Sequence, residues 1–122
     1  MADLTPAQLE YVRSQRLGRI ATAGKDGKPH VVPSGFQYNA ELGTIDVGGR
    51  DVASTKKYRD VEATGYAAIV FDDLASTNPW HPRMLEIRGR AEAIANGGDG
   101  RRGVGGSFVR IHIDKVNAFG ID

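Results

Sequence analysis

The sequence predicts a mainly β, α+β domain: a small antiparallel barrel of about six strands with two short helices. Three observations carry that prediction. Sixteen glycines in 122 residues call for many turns and close backbone approaches. Several segments alternate apolar and polar residues with period two, and the first three are joined by connections too short for parallel crossovers. Short antiparallel strands with glycine-rich bends avoid exposed edges by closing on themselves, although a flat two-layer α+β sandwich is the alternative.

The first element reads as a helix. Thr5 suits the N-cap, Pro6 the first turn, and Gln8 completes a capping box, with Leu4 and Leu9 spaced for a hydrophobic staple. Leu9, Val12 and Arg16 continue it for about three turns, and Gly18 is its expected stop. Arg19–Ala23, a turn at Gly24–Lys28, and His30–Tyr38 then read as a hairpin. Asn39–Gly43 is a second turn, and Thr44–Gly48 a third strand.

Residues 49–54 read as a loop and 55–63 as a short helix, with Tyr58 and Val61 three apart. A strand follows at Tyr66–Phe71. The stretch from Asp72 to Pro82 reads as a polar loop, because Pro79 and Pro82 forbid a central strand. Leu85, Ile87, Gly89, Ala91 and Ala93 then alternate with Glu86, Arg88, Arg90 and Glu92, the clearest strand signal in the chain. Asn96–Gly106 holds six glycines and reads as a surface loop. Val109, Ile111 and Ile113 form the last strand, which Val116–Phe119 continues past a bend. One domain spanning 1–122 is expected.

Composition excludes several function classes. There is no cysteine, hence no disulfide framework, thiolate metal site or cysteine nucleophile, and a reducing cytoplasmic setting is expected. Sixteen Lys and Arg balance fifteen Asp and Glu, so the field for general nucleic-acid binding is weak. No apolar run approaches the roughly 20 residues of a membrane span, and Met1–Gln8 lacks a signal pattern. His30, His81 and His112 are too scattered for a metal site, and Ser34 and Ser54 lack a nucleophile context. Asp72-Asp73 reads as a turn device. No Gly-Lys-Ser or Gly-Lys-Thr occurs, and no Gly-x-Gly-x-x-Gly opens a helix after a strand.

The most informative cluster follows the third strand: Gly48, Gly49 and Arg50, then Ser54, Thr55, Lys56, Lys57 and Arg59. If Thr55 starts a helix, free N–H groups, two hydroxyls and flexible cations converge where a phosphate fits, and Arg50 adds a bidentate donor. The two glycines let a ring lie against the backbone. The alternative is a solvated helix face in which Lys57 and Arg59 answer Asp60 and Glu62.

Four segments together resemble a known family: His30–Phe36, Thr44–Val47, Ser54–Val61 and Glu86–Glu92, with Val109–Val116 and Gly120–Asp122 adding to the likeness. They are similar to the pyridoxamine-phosphate-oxidase-like split β-barrel flavoproteins, in particular an actinobacterial branch that uses the deazaflavin coenzyme F420. The resemblance implies an FMN-binding split-barrel fold and a homodimer with cofactor in the groove between subunits. It also implies that Val32, Pro33, Ser34, Gly35 and Phe36 line the cofactor ring and that Gly48, Gly49 and Arg50 approach the ring or its tail. Ser54, Thr55, Lys57 and Arg59 would hold the phosphate, and Lys56 an acidic tail. An F420-dependent reductase of a small organic acceptor is the implied activity, with no catalytic residue singled out and His112, Tyr38 or solvent as proton source. FMN-dependent chemistry on the same scaffold, or a flavin or haem carrier, are the alternatives.

Overall fold

The computed structural model describes the backbone of residues 2–101 and 104–121, and the side chains of residues 2–96 and 106–121. Helix α1 covers Pro6–Ser14 and begins as the capping pattern dictates. The Thr5 hydroxyl accepts from the Gln8 amide at 3.1 Å, and the Gln8 side chain accepts from the Thr5 amide at 3.0 Å. It buries Tyr11 and Val12 against the sheet.

The helix ends four residues before its expected stop, because Gly18 has another task. As the first residue of β1 (Gly18–Ala23), a side chain there would meet Ile69 at 2.6 Å and Phe71 at 2.7 Å. Glycine is required for strand packing, not for a helix cap.

Eight strands form among the described residues, two more than the roughly six expected. β2 (Pro29–Ser34) pairs antiparallel with β1, and β3 (Phe36–Asn39) pairs with β4 (Thr44–Val47). The segment expected as one strand, His30–Tyr38, is thus divided at Gly35 between two sheets. After helix α2 (Lys56–Thr64) come β5 (Tyr66–Thr77), β6 (Trp80–Arg101), β7 (Val104–His112) and β8 (Lys115–Phe119). The strand order is β2-β1-β5-β6-β7-β4-β3, with β8 also on β6. Gly35 joins the two ends of that path, so the sheet closes into a split barrel, which decides against the open sandwich.

Two regions read as loops are strands. Asp72–Thr77 stays in β5 and pairs with Trp80–Met84. Pro82 is tolerated because β8 covers β6 only from Met84 to Arg88, leaving residues 80–83 with β5 as their sole paired neighbour among the described strands. Pro79 follows a cis peptide in the turn itself. Asn96–Gly106 is likewise not a loop: β6 and β7 remain paired to Arg101 and Val104, through register shifts after Ile94 and Asp99. The tip, residues 102–103, lies outside the described residues, as does Asp122.

β6 serves both halves of the barrel. Trp80–Arg90 pairs with β5 and, over part of its length, β8; from Ala91 onward it pairs with β7. Gly89 sits at the changeover, where an added Cβ would lie 1.9 Å from the His112 carbonyl oxygen. The core fills the barrel with Ile20, Phe36, Ile45, Val47, Ile69, Phe71, Leu85, Ile87, Val109 and Ile111, all essentially inaccessible. The Phe36 and Phe71 rings meet at 4.6 Å between centroids. No described helix is long and apolar enough to cross a membrane.

Gly89→Ala is expected to destabilise the protein by about 2–3 kcal/mol through forced backbone displacement at the crossing. Urea unfolding measures it. A loss below about 0.5 kcal/mol would show that β6 bends freely there.

Candidate functional site

The cation-rich segment forms a tight turn on the end of the barrel. Gly48 donates its amide to the Gly35 carbonyl at 3.2 Å, so the two glycine-bearing segments, 32–36 and 48–50, come side by side. Gly49 has φ +147, a conformation that few side chains adopt, and Asp51 is left-handed at φ 49. A single 3-10 turn at Val52–Ser54 then leads into α2. The Ser107 hydroxyl, which sequence reasoning did not single out, accepts from the Ala53 amide at 3.1 Å and ties the turn to β7.

Thr55 caps α2 as the sequence suggests. Its hydroxyl accepts from the Tyr58 amide at 3.4 Å and donates to the Val52 carbonyl at 2.6 Å, so its proton is already committed. Ser54 is exposed, and its carbonyl accepts from Arg59 Nη1 at 2.9 Å. Arg50 is exposed and has no ion pair among the described residues.

The neighbouring lysines differ. Lys56 Nζ donates to both oxygens of Asp60, at 2.8 and 3.0 Å. Asp60 is buried and also accepts from the Thr22 hydroxyl at 2.9 Å. Burial pushes the Asp60 carboxyl upward, but the hydrogen bonds from Lys56 and Thr22 outweigh it and leave the group below the ordinary aspartate value.

Lys57 is only 7% exposed and has no hydrogen bond or ion pair among the described residues. Burial lowers the pKa of its ammonium. The pairing of Lys57 and Arg59 with Asp60 and Glu62 that a plain solvated helix would show is not formed. A nearly buried cation without a described counter-charge, in the first turn of α2 and close in sequence to the exposed Arg50, suits an anion.

The expected ring-lining segment is split by the strand alternation. Phe36 is 1% exposed and belongs to the core, so only its backbone borders the turn. Ser34 is buried, Val32 is half-buried against the core, and Pro33 is exposed on the opposite face. Farther along β7, His112 Nε2 lies 2.6 Å from Glu92 Oε2, and Arg110 forks onto the buried Asp46 carboxylate at 3.1 and 3.2 Å. His81 Nε2 lies 3.4 Å from the Gly120 carbonyl. Among the described residues, no group of three or more His, Asp or Glu side chains is arranged to hold a metal.

A closed antiparallel barrel with a helix and a cation-bearing turn at one end defines a small split-barrel domain. The comparisons then give its lineage: residues 4–115 match the pyridoxamine 5'-phosphate oxidase family model, and the chain belongs to that family. It is 37% identical over 119 residues to the 5a,11a-dehydrotetracycline/5a,11a-dehydrooxytetracycline reductase of Streptomyces rimosus, covering 97% of this chain and 84% of that one. Two solved structures share the fold. A conserved hypothetical protein of Mycobacterium tuberculosis has TM-score 0.74 at 18% identity, with 98% and 88% of the chains covered. A FAD-binding protein of Mesorhizobium loti has TM-score 0.69 at 20% identity, with 90% and 87% covered.

The Asp60 network carries a pH signature. Because the folded carboxyl titrates below its ordinary value, its stabilising contribution is complete above about pH 4 and is lost as pH falls through the folded value. Asp60→Asn should cost about 1–3 kcal/mol at pH 7, with the deficit shrinking below pH 4. Urea unfolding at pH 7 and pH 3 checks this; equal deficits would assign the loss to shape and not to charge.

Proposed function

We propose that the protein is an oxidoreductase that binds coenzyme F420 and reduces a small organic acceptor, working as a homodimer. The observation that carries the cofactor reading is Lys57: a nearly buried ammonium without a described counter-charge, in the first turn of the helix that follows the exposed Gly49 and Arg50, fits a phosphate-bearing flavin-type group. Family membership and the reductase relative support redox chemistry over simple storage. That relative's name gives it a dehydrotetracycline as acceptor, which supports an unsaturated polycyclic compound as the kind of molecule reduced here.

When bound, the deazaflavin supplies a hydride, and with one proton this completes a two-electron reduction of the acceptor. Each of the chain's residues has a narrower task. Lys57, Arg50, Ser54 and Arg59 hold the phosphate by charge-assisted and neutral hydrogen bonds. Thr55 keeps the helix start in place through its cap, and Lys56 serves an acidic tail only by leaving Asp60. The backbone of Gly35, Phe36, Gly48 and Gly49 gives one flat wall, with Val32, Pro33 and Ser34 beside it. The proton comes from solvent or from a rim group, His112 or Tyr38.

The homodimer reading is supported by one apolar face. Val31, Tyr66, Leu74 and Phe119 lie on the outer side of the β2-β1-β5-β6-β8 sheet, with Val31 63%, Tyr66 65% and Phe119 60% exposed. The Leu74 and Phe119 end of that face, beyond the Ala21–Ala68 row, suits contact with a second copy.

Titration of the apoprotein with F420 and, separately, with FMN tests the cofactor. F420 is expected to bind more tightly, and Lys57→Ala to weaken that binding about 10- to 100-fold. Tighter FMN binding would move the protein to flavin-dependent chemistry, and unchanged affinity in the variant would remove Lys57 from the site. Tight binding without turnover of any acceptor would make it a carrier. Light scattering is expected to show a dimer; a monomer would overturn the shared-groove arrangement.

A further inference from the structure

The outer face of the first sheet is not uniformly apolar. Register places Val31, Ala21, Ala68, Arg88 and Lys115 in one row across β2, β1, β5, β6 and β8. At about 4.8 Å per strand, the row runs about 14 Å from Val31 to Arg88. The alanines in its middle are low. With Ala23, Gly24 and Pro29 they floor an open trough of about 500 Å³, walled by Tyr66 and ending at Arg88. That volume suits a drug-sized molecule, and the small-residue floor suits a flat one.

The charged end of the row is unusual. Arg88 and Lys115 are directly opposite on adjacent antiparallel strands, where like charges repel. Nearby arginines are neutralised: Arg19 pairs with Asp72 at 2.9 Å, Arg90 with Asp114 at 2.9 Å, and Arg83 with Asp73 at 2.5 Å. Lys115 has no ion pair among the described residues, and Arg88 has one long contact, Nε to Glu86 Oε1 at 3.4 Å. An anionic oxygen set between these two cations would turn their repulsion into attraction on both sides.

The geometry points to this trough as the acceptor site, taking a flat polycyclic anion whose ring system lies over Ala21 and Ala68 while its carboxylate or phenolate oxygen meets Arg88 and Lys115. The role as acceptor rests on the reductase reading above; the binding chemistry rests on the trough alone. The trough also adjoins the far end of α2, through Thr64 in its lining. Thr22, which lines it, is hydrogen-bonded to Asp60, and Asp60 holds Lys56.

The probe pair is anthracene-2-carboxylate and its neutral carboxamide, followed by their own fluorescence on titration with the full-length protein. The carboxylate is expected to bind about tenfold more tightly than the amide. R88Q/K115Q should reduce that preference to less than about twofold while leaving the amide's affinity in place, and Ala68→Leu, which fills the floor, should weaken both probes about tenfold or more. In all variants the affinity for F420 or FMN should stay within about twofold of the parent.

Unchanged probe binding in Ala68→Leu, or a preference that survives R88Q/K115Q, would overturn the assignment. So would variants that weaken the cofactor and spare the probes, which would give the cations to the cofactor's acidic tail. A dimer by light scattering that takes up neither probe would give the face to the second copy. If no flavin-type cofactor binds while the probe series behaves as expected, the reductase reading fails and the anion trough stands.

Discussion

One strand shared by two sheets is the constraint on which the rest of this barrel depends. β6 passes from β5 and β8 to β7 at Gly89, against the carbonyl of His112, with no room for a side chain. The crossing is held from both flanks. Asp114 accepts from the Arg90 backbone and from two guanidinium nitrogens, each at 2.9 Å, and the Ala91 amide reaches the Gly65 carbonyl at the end of α2 at 2.8 Å. These contacts fix the β7–β8 corner and the C-terminus of α2 to one point on β6. The N-terminus of α2, where the cations gather, is positioned by the same attachment nine residues away.

At the far end of the shared strand, α1 is secured by a polar cluster. The Tyr11 hydroxyl donates to Asp73 at 2.9 Å, and Arg83 grips the same carboxylate while its guanidinium lies 5.0 Å from the Tyr11 ring centre. Burial, then the hydrogen bond and charge of Asp73, push the Tyr11 phenol well above its ordinary value, so it stays a proton donor. Arg83 lowers the Asp73 carboxyl in turn, with burial opposing it. The β5–β6 hairpin is thereby fastened to α1 through a polar cluster at the edge of the core, which Tyr11 joins.

What was legible in the sequence were the features that local chemistry decides. Thr5, Pro6 and Gln8 start a helix with short-range bonds, and the alternation from Leu85 to Ala93 is the direct imprint of one wet and one dry face. The errors have a common origin: residue preference was overruled by pairing. Pro82 and the glycines of 97–100 and 105–106 are poor strand residues, but pairing with a neighbouring strand holds each segment extended. The split at Gly35 was hidden because both halves are strands, and only closure of the barrel shows that they serve different sheets. In the site, the cation cluster and the Thr55 cap were visible as composition and spacing. The unlike fates of Lys56 and Lys57 were not, since Thr22, distant in sequence, helps fix the Asp60 carboxylate that Lys56 grips.

The alternation along β1 joins the cation cluster and the trough into one arrangement. Thr22 turns inward toward Asp60, and through it to Lys56, while Ala21 and Ala23 turn outward to floor the trough. A side chain larger than hydrogen at Gly24, the residue that follows, would stand 3.1 Å from the Asp60 carboxylate. That close approach keeps the β1–β2 turn low against α2 and leaves the trough open at this end. The carboxylate that secures Lys56 therefore also shapes the surface beside it. Because Lys56 is held by Asp60, the nearly buried Lys57 is the lysine without a described counter-charge, so one aspartate sets both the unlike states of the two lysines and the low path of the β1–β2 turn beside them.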